Sequence, residues 1–207
     1  MTGEELTPHV LRLGYSEGLF PMTMDDGDIG WFRPLRRALF PIEGIHVSRS
    51  LRRVIRSNRF EISFDTDFEA VIRGCFRPSD NWLSEDFVRA YTLAFYEGWA
   101  HCAECRLDGE LVGGVYGVNF GGYLAAESMF HRATNASKVA LWAMIHRSRD
   151  MGITLFDAQV MNPHLASLGA YEISDQRFKH LLKSALEGQA VRGSWALPPG
   201  VQLPWVP

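Results

Sequence analysis

Apolar residues recur at helical spacing between Ser48 and Ser57: Leu51, Val54 and Ile55 take one face, while Arg49, Arg52, Arg53 and Arg56 take the other. That pattern predicts a short amphipathic helix with one wall of guanidinium, and Ser48 stands where an N-cap hydroxyl belongs. Phe68, Val71 and Ile72 predict a second helix over 67–73. A third is expected over 84–99, where Glu85 and Asp86 complement the dipole of the first turn and Gly98 closes the run. From Ala100 to Phe130 the spacing changes to that of strands. Segments 101–106, 111–119 and 123–129, joined by turns at Asp108-Gly109 and Gly121-Gly122, read as an antiparallel meander. A helix over 137–151 stopped by Gly152, a buried strand over 154–160 and a last helix over 175–186 complete the pattern, ahead of a Pro-rich tail. Residues 1–60 are rich in Pro, Gly and aromatics and predict short strands and turns before that first helix.

Antiparallel strands followed by helix, strand and helix predict an α+β domain over 61–207, with residues 1–60 as a small α/β lobe packed on it. A strand is expected over 60–63, within the stretch 58–64 that is also the candidate linker. A chain of 207 residues that is 46% hydrophobic and 22% charged fits one or two small globular domains. No run of about 18 uncharged apolar residues predicts a membrane span, and the acidic N-terminus lacks the basic flank of a signal peptide. The expected setting is the cytoplasm, where Cys75, Cys102 and Cys105 stay reduced.

The net charge of −3 argues against a nucleic-acid partner only if it is evenly spread. It is not. Arg33, Arg36, Arg37, Arg49, Arg52, Arg53, Arg56 and Arg59 face a single acid, Glu43, between 33 and 59, so that segment carries +7 and the remainder −10. A solvated helix face and a contact with RNA phosphates both account for the run.

Other chemistry is thin. Cys102-Ala103-Glu104-Cys105 has C-x-x-C spacing but falls in an expected strand, with no second pair to complete a zinc site. The histidines show no metal-ligand spacing, and no G-x-S-x-G elbow is present. Two places stand out. Glu127 ends an otherwise apolar strand, where a structural ion pair and a ligand for a substrate amine are both open. Asp157 and Gln159, with Asn162 beyond, put a carboxylate and a carboxamide on one face of a buried strand, either as a structural pair or as part of a site.

With these residues the sequence becomes recognisable. Gly18-Leu19-Phe20-Pro21, His46-Val47-Ser48-Arg49-Ser50-Leu51-Arg52-Arg53, Gly113-Gly114-Val115-Tyr116-Gly117, Glu127-Ser128-Met129-Phe130, Asn135-Ala136-Ser137-Lys138, Asp157-Ala158-Gln159 and His164-Leu165-Ala166-Ser167-Leu168-Gly169-Ala170 follow one another in order. Together they resemble the leucyl/phenylalanyl-tRNA-protein transferases. The resemblance implies a C-terminal domain similar to the GNAT acyltransferase fold. It also implies transfer of Leu or Phe, with Met as a further donor, from aminoacyl-tRNA to the N-terminal Arg or Lys of proteins, marking them for N-end-rule degradation. Asp157, Gln159 and Glu127 would be catalytic. Trp31, Phe32, Leu124, Ser128, Met129, Phe130, Met144 and Asn162 would bind substrate, and Arg49, Arg52, Arg53, Arg56 and Arg59 the tRNA. The aminoacyl ester supplies the driving force, so no cofactor or metal is expected, and the chain is expected to act as a monomer.

Four positions depart from the family pattern: Phe32 and Arg106 where Trp is common, Leu124 in place of Phe and Ala126 in place of Gly. They leave the donor open, and Arg106 is expected to turn outward or to pair with Glu127 or Glu104. A different acceptor and a noncatalytic tRNA-binding protein are the rival readings. Use of acetyl-CoA is disfavoured by the glycine-free run from His131 to Ser137.

Overall fold

Thr7 accepts a hydrogen bond from the Val10 amide and Pro8 occupies the first turn, so the chain opens with a helix, α1 (Pro8–Ser16), where turns were expected. The computed structural model describes residues 6–77, 83–188 and 195–197. A hairpin of β1 (Phe20–Thr23) and β2 (Ile29–Phe32) follows, then β3 (Arg36–Phe40). The arginine helix forms as α2 (Arg49–Arg56), its Leu51 amide bonded to the Ser48 hydroxyl. Next come β4 (Glu61–Phe64), α3 (Phe68–Gly74) and α4 (Glu85–Tyr96). The expected meander is β5 (Ala100–Leu107), β6 (Glu110–Phe120) and β7 (Tyr123–His131). It is followed by α5 (Ala136–Asp150), β8 (Leu155–Gln159), α6 (Pro163–Ser167), β9 (Tyr171–Ser174) and α7 (Asp175–Leu186). Most of the Pro-rich tail lies outside the described residues.

Seven strands form one sheet in the order β4-β5-β6-β7-β8-β3-β9. Every pairing is antiparallel except β7 with β8, which the crossover helix α5 connects. The α+β class and the mainly antiparallel sheet agree with expectation. The strand expected over 60–63 forms as β4, at the edge of this sheet. β3, from the segment 1–60, is the sixth strand, a long-range pairing that local periodicity does not encode.

Helices cover both faces. Tyr123 and Ala125 of β7 point into a core shared with α1, α3, α4 and α7, while Leu124 points into one shared with α2 and α5. The same alternation parts the C-x-x-C pair: Cys102 lies in the first core and Cys105 in the second. Burial pushes their thiols and that of Cys75 up, Cys75 to about 12, so none is poised to react.

Candidate active site

β7 and β8 run parallel for only three pairs, ending at Ala125 opposite Asp157. Beyond that point no further backbone pair joins them among the described residues, and the gap opens at their carboxyl ends, where α/β sheets place ligand sites. Glu127 and Gln159 each lie two residues past the last pair. Glu127 is also the unpaired residue of a β-bulge, since Tyr116 pairs with Ser128 and Gly117 with Ala126. A bulge turns two successive side chains to one side. A Cβ at Gly117 would come within 2.4 Å of the Ala125 carbonyl, so the strand facing the bulge needs glycine there.

The turned Glu127 carboxylate meets a chain of hydrogen bonds. Tyr91 donates its hydroxyl to Oε2 at 3.1 Å, and Gln159 donates Nε2 to Oε1 at 3.1 Å. The Tyr15 hydroxyl lies 2.6 Å from that of Tyr91, and because the Tyr91 proton is committed to Glu127, Tyr15 is the donor of that bond. Burial raises Glu127 to about 7, against the pull of Tyr15, Gln159 and Tyr91. A carboxyl near neutrality both gains and loses a proton at working pH.

Asp157 takes a different place from the one its position in sequence suggests. It is fully buried and accepts from Arg37 Nε at 2.9 and 3.0 Å, from another guanidinium nitrogen of Arg37 at 2.6 Å, and from the Tyr123 hydroxyl at 2.7 Å. Its Oδ1 also accepts the Gln159 backbone N–H at 2.8 Å. Gln159 has φ of 62°, a left-handed conformation that costs a non-glycine residue about 1–3 kcal/mol and that the bond to Asp157 holds. Asp157 therefore fixes the peptide of Gln159, whose Nε2 in turn binds Glu127, leaving the Gln159 Oε1 to accept from a ligand. Arg37 lies between the rings of Phe20 and Phe178, 5.0 and 4.4 Å from their centroids, and also donates to the Gly18 carbonyl. It was counted in the basic run, yet it is 1% exposed and bound to Asp157.

A cavity of about 210 Å³ opens over Glu127 and Gln159. Of the expected substrate residues, Ser128, Met129 and Asn162 line it. The other five do not. Trp31 covers Gly14 of α1, Phe32 stacks behind the lining residue Phe20, Phe130 packs on Gly74, and Leu124 and Met144 lie in the core of the α5 face. The apolar wall comes instead from Phe20, Met22, Phe40, Val115, Leu141 and Leu165. Phe20, Val115 and Leu165 sit inside the motifs quoted above but were not among the expected substrate residues; their apolar character within those motifs is the one signal that could have found them. Ala126 lines the cavity, whereas Arg106 does not: it lies 3.7 Å from Glu104 and 3.7 Å from Asp67. Of the two partners expected for it, Glu104 is the one beside it.

Arg49, Arg52, Arg53, Arg56 and Arg59 are all exposed on α2 and the turn after it. Among the described residues no cluster of three His, Cys, Asp or Glu is placed to hold a metal, and no helix is long and apolar enough to cross a membrane.

Comparison with known proteins bears on this arrangement. The family model described as leucyl/phenylalanyl-tRNA protein transferase matches residues 39–183, and that of its N-terminal domain matches residues 4–35. A protein of Herpetosiphon aurantiacus named leucyl/phenylalanyl-tRNA-protein transferase is 45% identical over 188 residues, covering 90% of this chain and 98% of its own length. Proteins of the same name from Cereibacter sphaeroides and Prosthecochloris aestuarii are 45% and 46% identical; the matches cover 95% and 86% of this chain and 94% of each relative.

Proposed function

The chain belongs to the leucyl/phenylalanyl-tRNA-protein transferase family, and from that premise we propose that it moves leucine or phenylalanine, with methionine as a further donor, from aminoacyl-tRNA to the N-terminal Arg or Lys of a protein in the cytoplasm, which marks that protein for N-end-rule degradation. The observation that carries this reading is the Glu127–Gln159 pair at the floor of an otherwise mainly apolar cavity. The aminoacyl side chain occupies the wall of Phe20, Phe40, Val115 and Leu141. The acceptor α-amine has an ordinary pKa of roughly 7.7–8, so a useful fraction is already neutral.

An N–H of that amine donates to Gln159 Oε1, which aims the nitrogen lone pair at the ester carbonyl carbon. The new C–N bond forms as the C–O bond to the ribose breaks. The amine proton passes to Glu127, which at about 7 is matched to receive it and then to hand it to the departing ribose oxygen, so that the ribose leaves as a hydroxyl and Glu127 returns to the carboxylate. Gln159, a carboxamide, is too weak a base to take the proton and serves to orient the amine. Asp157 and Arg37 are positioning residues that act through the Gln159 backbone. The negative charge of Glu127 also draws a cationic N-terminus, while the arginines of α2 bind tRNA phosphates.

The test offers the purified protein a set of labelled aminoacyl-tRNAs together with acceptor peptides that begin with Arg, Lys or Ala, and identifies any added residue by mass. Addition of Leu or Phe to the Arg and Lys peptides alone is expected. No addition from any donor, or equal addition to the Ala peptide, would contradict the proposal.

A further inference from the structure

Three cationic or titratable side chains stand just beyond residues that line the cavity, each on a different element. His131 follows Met129 by two residues on β7, which puts both on one side of the strand. Lys138 lies three residues before Leu141 on α5, on the same helix face. His164 sits on α6 between Asn162 and Leu165, both of which line the cavity. The His131 ring lies 3.4 Å from the hydroxyl of Ser137, the residue before Lys138, and burial first, then the charges of Lys138 and His131, pushes the His164 imidazole below its ordinary range. No carboxylate among the described residues pairs with any of them, and the only partner of His131 is the Ser137 hydroxyl at 3.4 Å. Lys138, a cation without a counter-ion among the described residues, and two imidazoles able to donate N–H groups are completed by an anion.

We propose that His131, Lys138 and His164 form a phosphate-binding rim that holds the phosphodiester links just 5′ of the terminal adenosine of the donor RNA. This rests on the reading of the cavity as the aminoacyl site, because the ester at the RNA 3′ end then lies within one or two nucleotides of the rim. The helix that carries Lys138 also packs against α2, so the rim and the arginine wall share one structural support. The wall grips the body of the RNA and the rim seats its end. The proposal thus assigns to this rim the difference between a donor that is merely an aminoacyl ester and one that is an RNA.

Two measurements test it, on the full chain and on a Lys138→Gln/His164→Gln variant whose thermal midpoint matches the wild type. The first compares KM for phenylalanyl esters of adenosine, which has no phosphate, and of the trinucleotide CpCpA. For the wild type the trinucleotide ester has a KM about tenfold lower, and in the variant the ratio falls towards one; a ratio kept in the variant overturns the rim. The second measures binding of unacylated CpCpA against salt, with inorganic phosphate as competitor. The wild type is expected to bind with a salt slope steeper by about 0.7 for each phosphate contact the variant has lost. Equal slopes and affinities contradict the proposal, as does competition by inorganic phosphate that is as strong against the variant as against the wild type. If neither ester is turned over by the wild type, the transferase reading fails, and the binding measurement still decides the rim.

Discussion

Arg37 shows why one residue type carried two meanings. In the sequence it is one of eight arginines in a basic run, whereas in the fold it is the buried counter-ion of Asp157. Burial depends on β3 entering the main sheet, so nothing local to Arg37 distinguishes it from Arg36, which is exposed and paired with Glu172. Glu127 was legible for the opposite reason, because a carboxylate in an apolar strand is costly wherever the strand packs. Tyr15 and Tyr91, which reach it, are indistinguishable in sequence from core aromatics. At this scale two outcomes are expected. Arg37→Ala leaves the Asp157 charge buried without its partner and destabilises the fold by about 3–5 kcal/mol in urea titrations, whereas an Arg37→Ala/Asp157→Asn double variant recovers part of that loss. Gln159→Ala lowers the single-turnover transfer rate at saturating acceptor by about 10²-fold while the fold is kept, and a rate close to wild type would remove Gln159 from the mechanism. Glu127 also couples stability to pH. Its folded pKa of about 7 is raised above the unfolded carboxyl value of about 4.3, so its contribution is full below the unfolded value and is lost as pH rises through 7. Glu127→Gln is accordingly expected to raise the thermal midpoint relative to the wild type at pH 8 and to change it little at pH 4.

Elements with a clear period were legible, and those defined by partners were not. The three strands of the meander and helices α2, α3, α4, α5 and α7 follow from spacing and caps. Helix α1 carried its own signals, Thr7 as cap and Pro8 in the first turn, but these were read within a Pro- and Gly-rich segment as turns. Strand β9 alternates Tyr171-Glu172-Ile173-Ser174 over only four residues, too few to be read without its partner β3. The bulge at Glu127 inserts one residue into a ladder, and a strand's own sequence does not show where its partner skips. Helix α2 is where the charge argument is tested. Reversing Arg49, Arg52, Arg53 and Arg56 to Glu is expected to weaken tRNA binding and flatten its dependence on salt while the circular dichroism spectrum stays unchanged. Equal affinity and equal slope would show that this face serves another purpose.

At the scale of the whole molecule, the charge of −3 gives no hint of how the surface is divided. One helix presents arginines, one cavity holds the Glu127 carboxylate, and the core beneath that helix is shared with much of the cavity's apolar lining. The C-terminal part of the chain returns to close this arrangement. Trp195 is fully buried, stacks on His101 with ring centroids 4.3 Å apart, donates its backbone N–H to Asp65 and accepts from Arg147 through its carbonyl. Trp195→Ala should cost about 3–5 kcal/mol of stability by chemical denaturation, and a loss under 1 kcal/mol would show that this segment is merely apposed. The central claim is that Glu127 takes the proton as the peptide bond forms over Gln159. Its most direct test is the single-turnover rate of transfer from phenylalanyl-tRNA to an Arg-initiated peptide between pH 5.5 and 8.5, for the wild type and for Glu127→Gln. The account predicts a wild-type rate that rises about a hundredfold per pH unit below 7, where Glu127 and the acceptor amine must both lose a proton, and about tenfold per unit from there to the amine's pKa of roughly 7.7–8, and a variant at least tenfold slower at pH 8 that keeps only the amine's limb. A variant that keeps both the wild-type rate and the limb near 7 would contradict it.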